Sequence, residues 1–359
     1  MDEKLKTNGK RTVLVLGAGF TKAFLPSAPL LTDDYGIEYL LKEFHEFSYA
    51  KKLLELERKM SKGQINIERL MTRLDSRMPY DFVLGGSEEL QLLLVELMKK
   101  FKKRLDDAMK GSSKSNQLKK LAGFCASNRV HCITFNYDDL FDKFLYQVKP
   151  ITHVNKKKGE PYWHPDGGYG FFTAPAEICV RQLPIIMDIT AMLLLKLHGS
   201  INWRVRHGYP RPFPVEAIVH QEDWLPKHDK NIPEDIIERH LEPDPFMVPP
   251  VLIKTELREQ PVLRVVWSQA YRVLKNSERV VFVGYSFPQT DISAATLFGE
   301  TLHELDQSQI HVVNLAEKPE EKQSIKSAYQ HVFPGLTKGQ FDFRGALDWV
   351  EEFINDDAT

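Results

Sequence analysis

The stretch Thr12-Val-Leu-Val-Leu16, followed by Gly17-Ala18-Gly19-Phe20-Thr21, decides the fold class of this 359-residue chain. Residues 12–16 form an almost uninterrupted apolar run, which is typical of a strand buried on both faces and so of a central strand in a parallel sheet. The Gly-x-Gly pair then precedes a predicted helix, and in that setting backbone N–H groups can approach a diphosphate. The third glycine of the common dinucleotide fingerprint is absent, so a tight turn that binds no ligand stays open as an alternative.

Four later runs have the same apolar character, and each ends beside polar residues or glycine. They lie at 130–135, 193–197, 279–283 and 310–315. Open α/β sheets bind ligands in the crevice outside the carboxyl ends of their strands. The sequence therefore predicts a Rossmann-like α/β fold with a parallel sheet, whose functional residues lie at those strand ends.

The first two predicted strands are separated by about residues 35–125, a stretch rich in Leu, Glu, Lys and Met. Apolar residues at spacings of three and four predict the packing face of a helix that ends near Gly111. These residues are Leu90, Leu93, Leu94, Leu97, Met98, Phe101, Leu105 and Met109. A crossover connection needs far fewer residues, so we expect a large helical insertion within a single domain spanning residues 1–359.

Two other stretches, about 150–190 and 205–250, have the composition of irregular chain. The first contains Pro161-Tyr-Trp-His-Pro-Asp-Gly-Gly-Tyr-Gly170, and the second is rich in proline. Proline and glycine are unfavourable inside a sheet. We expect both stretches to form lids or assembly surfaces.

The charge balance and the cysteines restrict the partners and metals that the chain can use. Lys plus Arg number 48 against 49 for Asp plus Glu, so no global field attracts nucleic acid or an anionic membrane. We expect no direct membrane contact, and we expect the chain to bind nucleic acid only through a partner.

Cys125, Cys132 and Cys179 form no Cys-x-x-Cys pair, so neither zinc nor another metal is expected. Scattered cysteines, with no apolar leader or span, predict a cytoplasmic location.

The later strand ends carry residue types suited to chemistry. Asn136 and Asp138 follow the second predicted strand, and His198 follows the third. Gly284 and Ser286 follow the fourth, where they allow a phosphate to approach closely and a hydroxyl to contact it. Asn136 and Asp138 would also suit the N-terminus of a helix over 138–148, and a single histidine is often structural, so both alternatives stay open.

Taken in order, these motifs resemble those of the SIR2 family. The first loop resembles the family's Gly-Ala-Gly-x-Ser, Asn136-Tyr137-Asp138 its Asn-x-Asp, and His198-Gly199 its catalytic His-Gly. Gly284-Tyr285-Ser286 resembles its Gly-x-Ser phosphate contact, and Val313-Asn314 its adenosine-side asparagine. The resemblance covers roughly residues 10–25, 128–145, 192–204 and 278–318 and does not extend to the insertions.

The chain departs from the protein-deacylating members of that family. It lacks their four-cysteine zinc ribbon and their Pro-Asp-Phe-Arg segment, and Phe135 stands where they have a glutamine. It is more similar to the SIR2-like NAD hydrolases of bacterial anti-phage defence, which carry helical insertions and no zinc. That resemblance implies NAD as the substrate, hydrolysis to ADP-ribose and nicotinamide, and a homo-oligomer. It also implies a separately encoded regulator, such as a HerA-like ATPase or a short Argonaute.

The resemblance and the strand-end positions together suggest a role for each residue. Asn136 would position water and a ribose hydroxyl, His198 would act as general base, and Asp138 would hold the nicotinamide carboxamide. The diphosphate would lie against Gly17, Ala18, Gly19, Phe20, Thr21, Gly284 and Ser286, with Asn314 on the adenosine ribose. Two alternatives remain: an NAD-dependent protein deacylase or ADP-ribosyltransferase, and a non-catalytic assembly subunit that binds NAD or ADP-ribose.

Overall fold

The computed structural model describes residues 11–30, 48–60, 67–76, 87–111, 115–148, 163–171, 192–206, 217–220, 241–251, 257, 260–288 and 291–356. The strands in these ranges are β1 (Thr12–Leu16), β2 (His131–Thr134), β3 (Leu194–Lys196), β4 (Gly199–Arg206), β5 (Ala217–His220), β6 (Leu241–Met247), β7 (Arg279–Val283), β8 (Ile310–Val313) and β9 (Phe341–Asp342).

The helices, listed by their bounds, begin with α1 (Ala18–Phe24), α2 (Ser48–Met60), α3 (Ile67–Asp75), α4 (Ser87–Met109), α5 (Ser115–Asn128) and α6 (Leu140–Gln147). They continue with α7 (Pro165–Gly168), α8 (Pro261–Lys275), α9 (Ile292–Leu302), α10 (Pro319–Val332) and α11 (Ala346–Asp356), and short 3-10 helices cover Gln307–Gln309 and Lys338–Gln340. Over the described ranges, no helix is both long and apolar enough to cross a membrane.

One six-stranded parallel sheet organises the described part of the chain, in the order β3-β2-β1-β7-β8-β9. Strand β1 lies inside the sheet, where Leu16 is paired with Thr134 on one side and with Val283 on the other. All five residues of β1 are buried, as expected for a strand covered on both faces. The five predicted strands and the parallel α/β fold are confirmed.

The described residues at about 35–125 lie almost entirely in helices. Helices α2, α3, α4 and α5 lie there, and the predicted apolar stripe falls on α4. Leu90, Leu93 and Leu97 are buried against Leu70 of α3 and Val251. The packing prediction for this stripe is confirmed, whereas residues 31–47, 61–66, 77–86 and 112–114 lie outside the described residues.

The prediction that residues 205–250 avoid sheet structure is wrong. Strands β5 and β6 flank β4 in a three-stranded antiparallel sheet. Pro243 and Pro245 are compatible with β6 because it is an edge strand with an irregular register against β4, the setting to which proline in a sheet is confined. Of the stretch 150–190, only 163–171 is described, and it contains the single turn α7; the rest lies outside the described residues.

The turn after β1 and the turn after β7 are joined through their backbones. Gly17 N–H donates to the Val283 carbonyl at 3.0 Å, and Gly19 N–H donates to the Gly284 carbonyl at 2.8 Å. Gly284 has a φ of +65°, which favours glycine. A Cβ on Gly284 would overlap the backbone of Phe20, so the two turns can approach this closely only without side chains.

We expect Gly284→Ala to destabilise the fold by about 1–3 kcal/mol, because the substitution adds both backbone strain and overlap with the first turn. Equilibrium urea unfolding measures the change. The control is Gly123→Ala in α5, where an added Cβ would have no neighbour within 4 Å. Alanine is the better helix former, so this control should gain roughly 0.5–1 kcal/mol. Equal stability of Gly284→Ala and the unmodified protein would contradict this account of the junction.

Candidate active site

A cavity of about 1050 Å³ opens at the carboxyl ends of the parallel strands. The predicted site residues that line it are Ala18, Gly19, Thr21, Asn136, Asp138, His198, Gly284, Ser286 and Asn314. They come from the ends of β1, β2, β3, β7 and β8, the edge at which parallel α/β sheets bind ligands. Gly17 and Phe20 do not line the cavity, because Gly17 packs against the β7 turn and the Phe20 ring is buried in the core.

The glycines of the first turn have a structural use that the sequence did not reveal. An added Cβ on Gly17 would lie 2.5 Å from the Gly284 carbonyl oxygen, and one on Gly19 would lie 2.9 Å from the same oxygen. The N–H groups of both glycines already donate to carbonyls of the neighbouring turn. The turn can therefore present a close, bare backbone to a ligand, but these two N–H groups are engaged within the protein.

Asn136 is held by a fixed set of hydrogen bonds. Its Nδ2 donates to the Gly17 carbonyl at 2.8 Å and to Thr21 Oγ1 at 2.9 Å. A carbonyl oxygen can only accept, so the contact with Gly17 fixes which end of the carboxamide is nitrogen. With both amide hydrogens donated, Asn136 can offer a ligand only its acceptor, Oδ1.

Thr21 connects Asn136 to Asp138. Its hydroxyl accepts from Asn136 and donates to Asp138 Oδ2 at 2.8 Å, while Asp138 Oδ1 accepts the Leu140 N–H at 3.2 Å. Burial raises the pKa of Asp138, and the Lys196 charge and these hydrogen bonds oppose that rise. Asp138 therefore supports the start of α6, as the helix-start alternative anticipated, and also closes a polar chain on the cavity wall.

A second polar network lies in the core behind this wall. Lys196, which is fully buried at the end of β3, donates to the Asp138 carbonyl at 2.5 Å and to the Asp142 carboxylate at 3.2 Å. Tyr169 donates to the same carboxylate at 2.6 Å and accepts from Asn202 at 3.0 Å. Burial raises the pKa of Asp142 to about 6, although Lys196 and Tyr169 both oppose the rise. The network ties the Asn136 loop to the strand that leads into His198.

His198 lies at the turn between β3 and β4, and its side chain is 8% exposed. The Phe135 ring meets the imidazole edge-on at a centroid distance of 5.2 Å. Asp291, the first residue before α9, places its Oδ2 3.8 Å from His198 Nε2. Sequence reasoning gave Asp291 no role, although an aspartate before an apolar helical run is a recognisable helix start.

The remaining predicted contacts come from the β7 and β8 ends. Ser286 is exposed, so its hydroxyl is accessible in the cavity. Asn314 is buried and donates from Nδ2 to the Tyr285 carbonyl at 2.9 Å, and Tyr329 donates to the same oxygen at 2.7 Å. Asn314 therefore shapes the β7 turn as well as lining the cavity.

The helical insertion supplies part of the cavity wall, which sequence reasoning missed. Glu68 and Arg69 of α3 and Phe101 and Leu105 of α4 line the cavity. The Phe101 ring lies edge-on to Tyr137 at 5.6 Å, beside the Asn136 loop. A contact between residues so distant in sequence leaves no local signal.

One arginine in the cavity wall forms ion pairs with two neighbouring carboxylates. Arg344 lines it and pairs with Asp342 at 2.7 Å and with Glu352 at 2.6 Å. These hydrogen bonds and charges raise the pKa of Arg344 above its usual range. Its cationic group is therefore already matched by two carboxylates.

No group of three or more possible metal ligands occurs in the ranges that the structure describes. Cys125 and Cys132 are buried free thiols, and burial is the main cause that raises the pKa of Cys132. Cys179 lies outside the described residues. The expectation that the protein uses no metal stays a prediction.

Comparison with known proteins gives only distant likenesses. No protein-family model and no curated protein matches the chain. Solved structures that it resembles include a Sir2 homologue–NAD complex, at 15% identity and a TM-score of 0.39, covering 100% of this chain and 94% of that one. A Sir2 homologue mutant bound to 2′-O-acetyl ADP ribose has 14% identity and a TM-score of 0.41, with 100% and 97% coverage. Sir2Tm bound to a propionylated peptide has 12% identity and a TM-score of 0.37, with 98% and 94% coverage.

We expect Lys196→Met to lower the free energy of unfolding by about 3–5 kcal/mol, because it leaves the Asp142 carboxylate buried without its cation. Urea unfolding measures this loss. The matched control is Lys275→Met, which removes a cation from a pair whose side chains are 35% and 69% exposed. That change should cost less than about 1 kcal/mol.

The cost of Lys196→Met should also depend on pH. Without Lys196, the pKa of Asp142, already raised to about 6, rises further because the attraction that lowers it is lost. A carboxyl group whose folded pKa is raised keeps its proton longer in the folded state, so stability falls as pH rises through that pKa. The variant should therefore lose less stability near pH 5 than near pH 8, and an equal loss at both would count against the buried pair.

Proposed function

We propose that this protein is a SIR2-like NAD hydrolase that cleaves the nicotinamide–ribose bond to give ADP-ribose and nicotinamide. The observation that carries the proposal is the convergence of Asn136, His198 and the glycine turns on one cavity. They come from four strand ends that are far apart in sequence and follow the motif order of the SIR2 family. If the likeness of the short motifs were a coincidence, there would be no reason for these residues to lie around one cavity.

The chemistry needs no acid to protonate a leaving group. When the nicotinamide–ribose bond breaks, its electron pair passes to the pyridinium nitrogen, and nicotinamide leaves as a neutral molecule. The ribose carbon becomes oxocarbenium-like, as in glycoside hydrolysis, and a water oxygen bonds to it while a proton passes to a base. The protein must hold the ribose, place the water and stabilise the developing positive charge.

Asn136 is suited to placing the nucleophile or a ribose hydroxyl. Its two amide hydrogens are donated to Gly17 and Thr21, so Oδ1 is the part of the side chain that can accept from water or from ribose. Because those hydrogen bonds fix the carboxamide before a ligand arrives, little reorganisation is needed during reaction. This geometry supports the positioning role.

His198 is suited to accepting the proton. An imidazole is the side chain whose protonation changes near neutral pH, and it lines the cavity that Asn136 also lines. The nearly buried ring limits competing contact with bulk water. We assign it the general-base role on the attacking water or on a ribose hydroxyl.

Asp138, Ser286 and Asn314 complete the proposed substrate contacts. Asp138 lies beside Asn136, where its remaining acceptor capacity would hold the nicotinamide carboxamide. Ala18 and Gly19 bring bare backbone to the cavity, and exposed Ser286 would contact the diphosphate. The hydroxyl hydrogen of Thr21 is directed to Asp138, so we now assign Thr21 to the positioning of Asn136 in place of a phosphate contact.

The wall formed by the insertion favours water as the acceptor. Phe101 and Leu105 cover the Asn136 loop through Tyr137. Phe135 stacks on Tyr285 at a centroid distance of 4.7 Å, at the position of the glutamine in the deacylating family members. Apolar side chains in this place support a small acceptor such as water over a polar protein side chain.

The biological setting of the proposal rests on the SIR2-like resemblance alone. Depletion of NAD in an infected cell would serve anti-phage defence. A homo-oligomer and a separately encoded regulator, such as a HerA-like ATPase or a short Argonaute, would keep the activity silent until it is needed. NAD hydrolysis should therefore be assayed with the full chain alone and with the products of adjacent genes.

We expect His198→Ala to slow NAD hydrolysis by about 10²–10⁴-fold, the range for loss of a proton-transfer group. We expect Asn136→Ala to slow it by about 10²–10³-fold, the range for loss of one preorganised hydrogen-bonding group. Chromatographic time courses of NAD and nicotinamide measure the rates. Asn276→Ala and His303→Ala are matched controls, since both residues are exposed and neither lines the cavity. Equal NAD consumption by all four variants and the unmodified protein would contradict the proposal.

We expect an acyl-lysine peptide to leave the rate of nicotinamide release unchanged, because water is the proposed acceptor. The same peptide with an unmodified lysine is the control. Nicotinamide release that requires the acyl group would establish a deacylase. Tight NAD binding without any turnover, alone or with the neighbouring gene products, would establish the non-catalytic assembly role.

A further inference from the structure

We infer that Asp291 is a positioning residue for His198, holding the imidazole in one orientation and favouring its uptake of a proton. The inference rests on the proposed function, because it assigns a partner to the proposed general base. Asp291 closes the β7–α9 segment and lines the same cavity as His198. Asp291 itself does not touch the reacting atoms in this scheme.

The side chains of Asp291 and His198 lie close together in a nearly buried place. Asp291 Oδ2 lies 3.8 Å from His198 Nε2, and the side chains are 7% and 8% exposed. This separation is longer than a hydrogen bond, but catalytic hydrogen bonds are often long before substrate binds. Because both groups are withdrawn from water, a carboxylate at this distance stabilises an imidazolium more strongly than it would at the surface.

The start of α9 fixes the carboxylate. Asp291 Oδ1 accepts the Ala294 N–H at 3.4 Å, which leaves Oδ2 on the side of His198. The Asp291 backbone is held at both ends, since its N–H donates to Pro288 and its carbonyl accepts from Ala295, each at 3.0 Å. The N-terminus of α9 also favours an ionised carboxylate. One oxygen of Asp291 therefore supports the helix start, and the other lies toward the imidazole. The Tyr285 side chain also interacts with this carboxylate.

Aromatic rings also contact the imidazole. Phe135 meets it edge-on, and Phe135 is itself stacked on Tyr285. A neutral imidazole that directs its Nε2–H to Asp291 keeps its lone pair on Nδ1. Asp291 would thus select the tautomer in which Nδ1 accepts the proton, as the carboxylate does in serine hydrolase triads.

Other titratable and charged groups line the same cavity or lie on the elements that carry this pair. They include Tyr137 and Asp138 in the β2–α6 loop, Tyr285 in the β7 turn, Glu68 and Arg69 on α3, and Lys196 in the core at the end of β3. Burial raises the pKa of Tyr285 well above its usual range, which favours the neutral phenol. Lys196 is directed to Asp142. The carboxylate of Asp291 lies 3.8 Å from the imidazole Nε2.

The test is Asp291→Asn in the full chain. Asparagine is as good an N-cap as aspartate, so α9 should keep its start while the negative charge is lost. We expect kcat to fall about 10²-fold with KM little changed, and the acid limb of the pH–rate profile to move to lower pH, since the imidazolium loses its counter-charge. Asp306→Asn is the matched control, because Asp306 caps an exposed 3-10 helix in the same way. An unchanged kcat and pH profile would overturn the inference.

Two further measurements separate this inference from the proposed function. In the His198→Ala background, Asp291→Asn should cause no additional loss of rate, whereas additive losses would show that Asp291 acts elsewhere. An NMR titration of the His198 imidazole needs no turnover, and its midpoint should fall in Asp291→Asn. A shifted midpoint in a protein that does not hydrolyse NAD would refute the proposed function but support the pairing. An unshifted midpoint in an active hydrolase would refute the pairing alone.

Discussion

The backbone junction between the turn after β1 and the turn after β7 is the constraint on which the rest of the cavity depends. Two N–H groups of the first turn donate to carbonyls of the second, and glycines at 17, 19 and 284 leave room for that approach. Since β1 and β7 are adjacent strands, the joined turns form one wall at the edge of the sheet. Displacement of this wall would move Thr21 and Tyr285 together, and with them the surroundings of Asn136 and His198.

Buried polar groups also hold the site in shape. Asn136, Thr21 and Asp138 form a continuous chain of hydrogen bonds, and Lys196 attaches that chain to Asp142 in the core. Such networks are costly to bury and rigid when every member is satisfied. Burial raises the carboxyl pKa values, and the hydrogen bonds that oppose this rise also fix donors and acceptors before a ligand arrives. That is the form of preorganisation that NAD cleavage would use.

The parallel sheet could be predicted from the sequence because its strands are continuous apolar runs. Such runs are expected for strands buried on both faces, where apolar and polar residues do not alternate. The strand at 279–283 was predicted with the bounds that the structure has. The small antiparallel sheet was not predicted, since prolines in β6 read as breakers until its position at an edge is known. Phe20 was assigned to the ligand, but it lies on the inward face of α1, next to cavity-lining Thr21.

The sequence by itself determined which residue types stand at the ends of the parallel strands, because strand ends and short turns are local patterns. Only the tertiary structure decided how those residues are used. The N–H groups of Gly17 and Gly19 donate within the protein, and the Thr21 hydroxyl donates to Asp138. Asp291 lies beside His198, although the two residues are far apart in the sequence. Contacts of this kind depend on the packing of distant segments, which no local pattern of residues encodes.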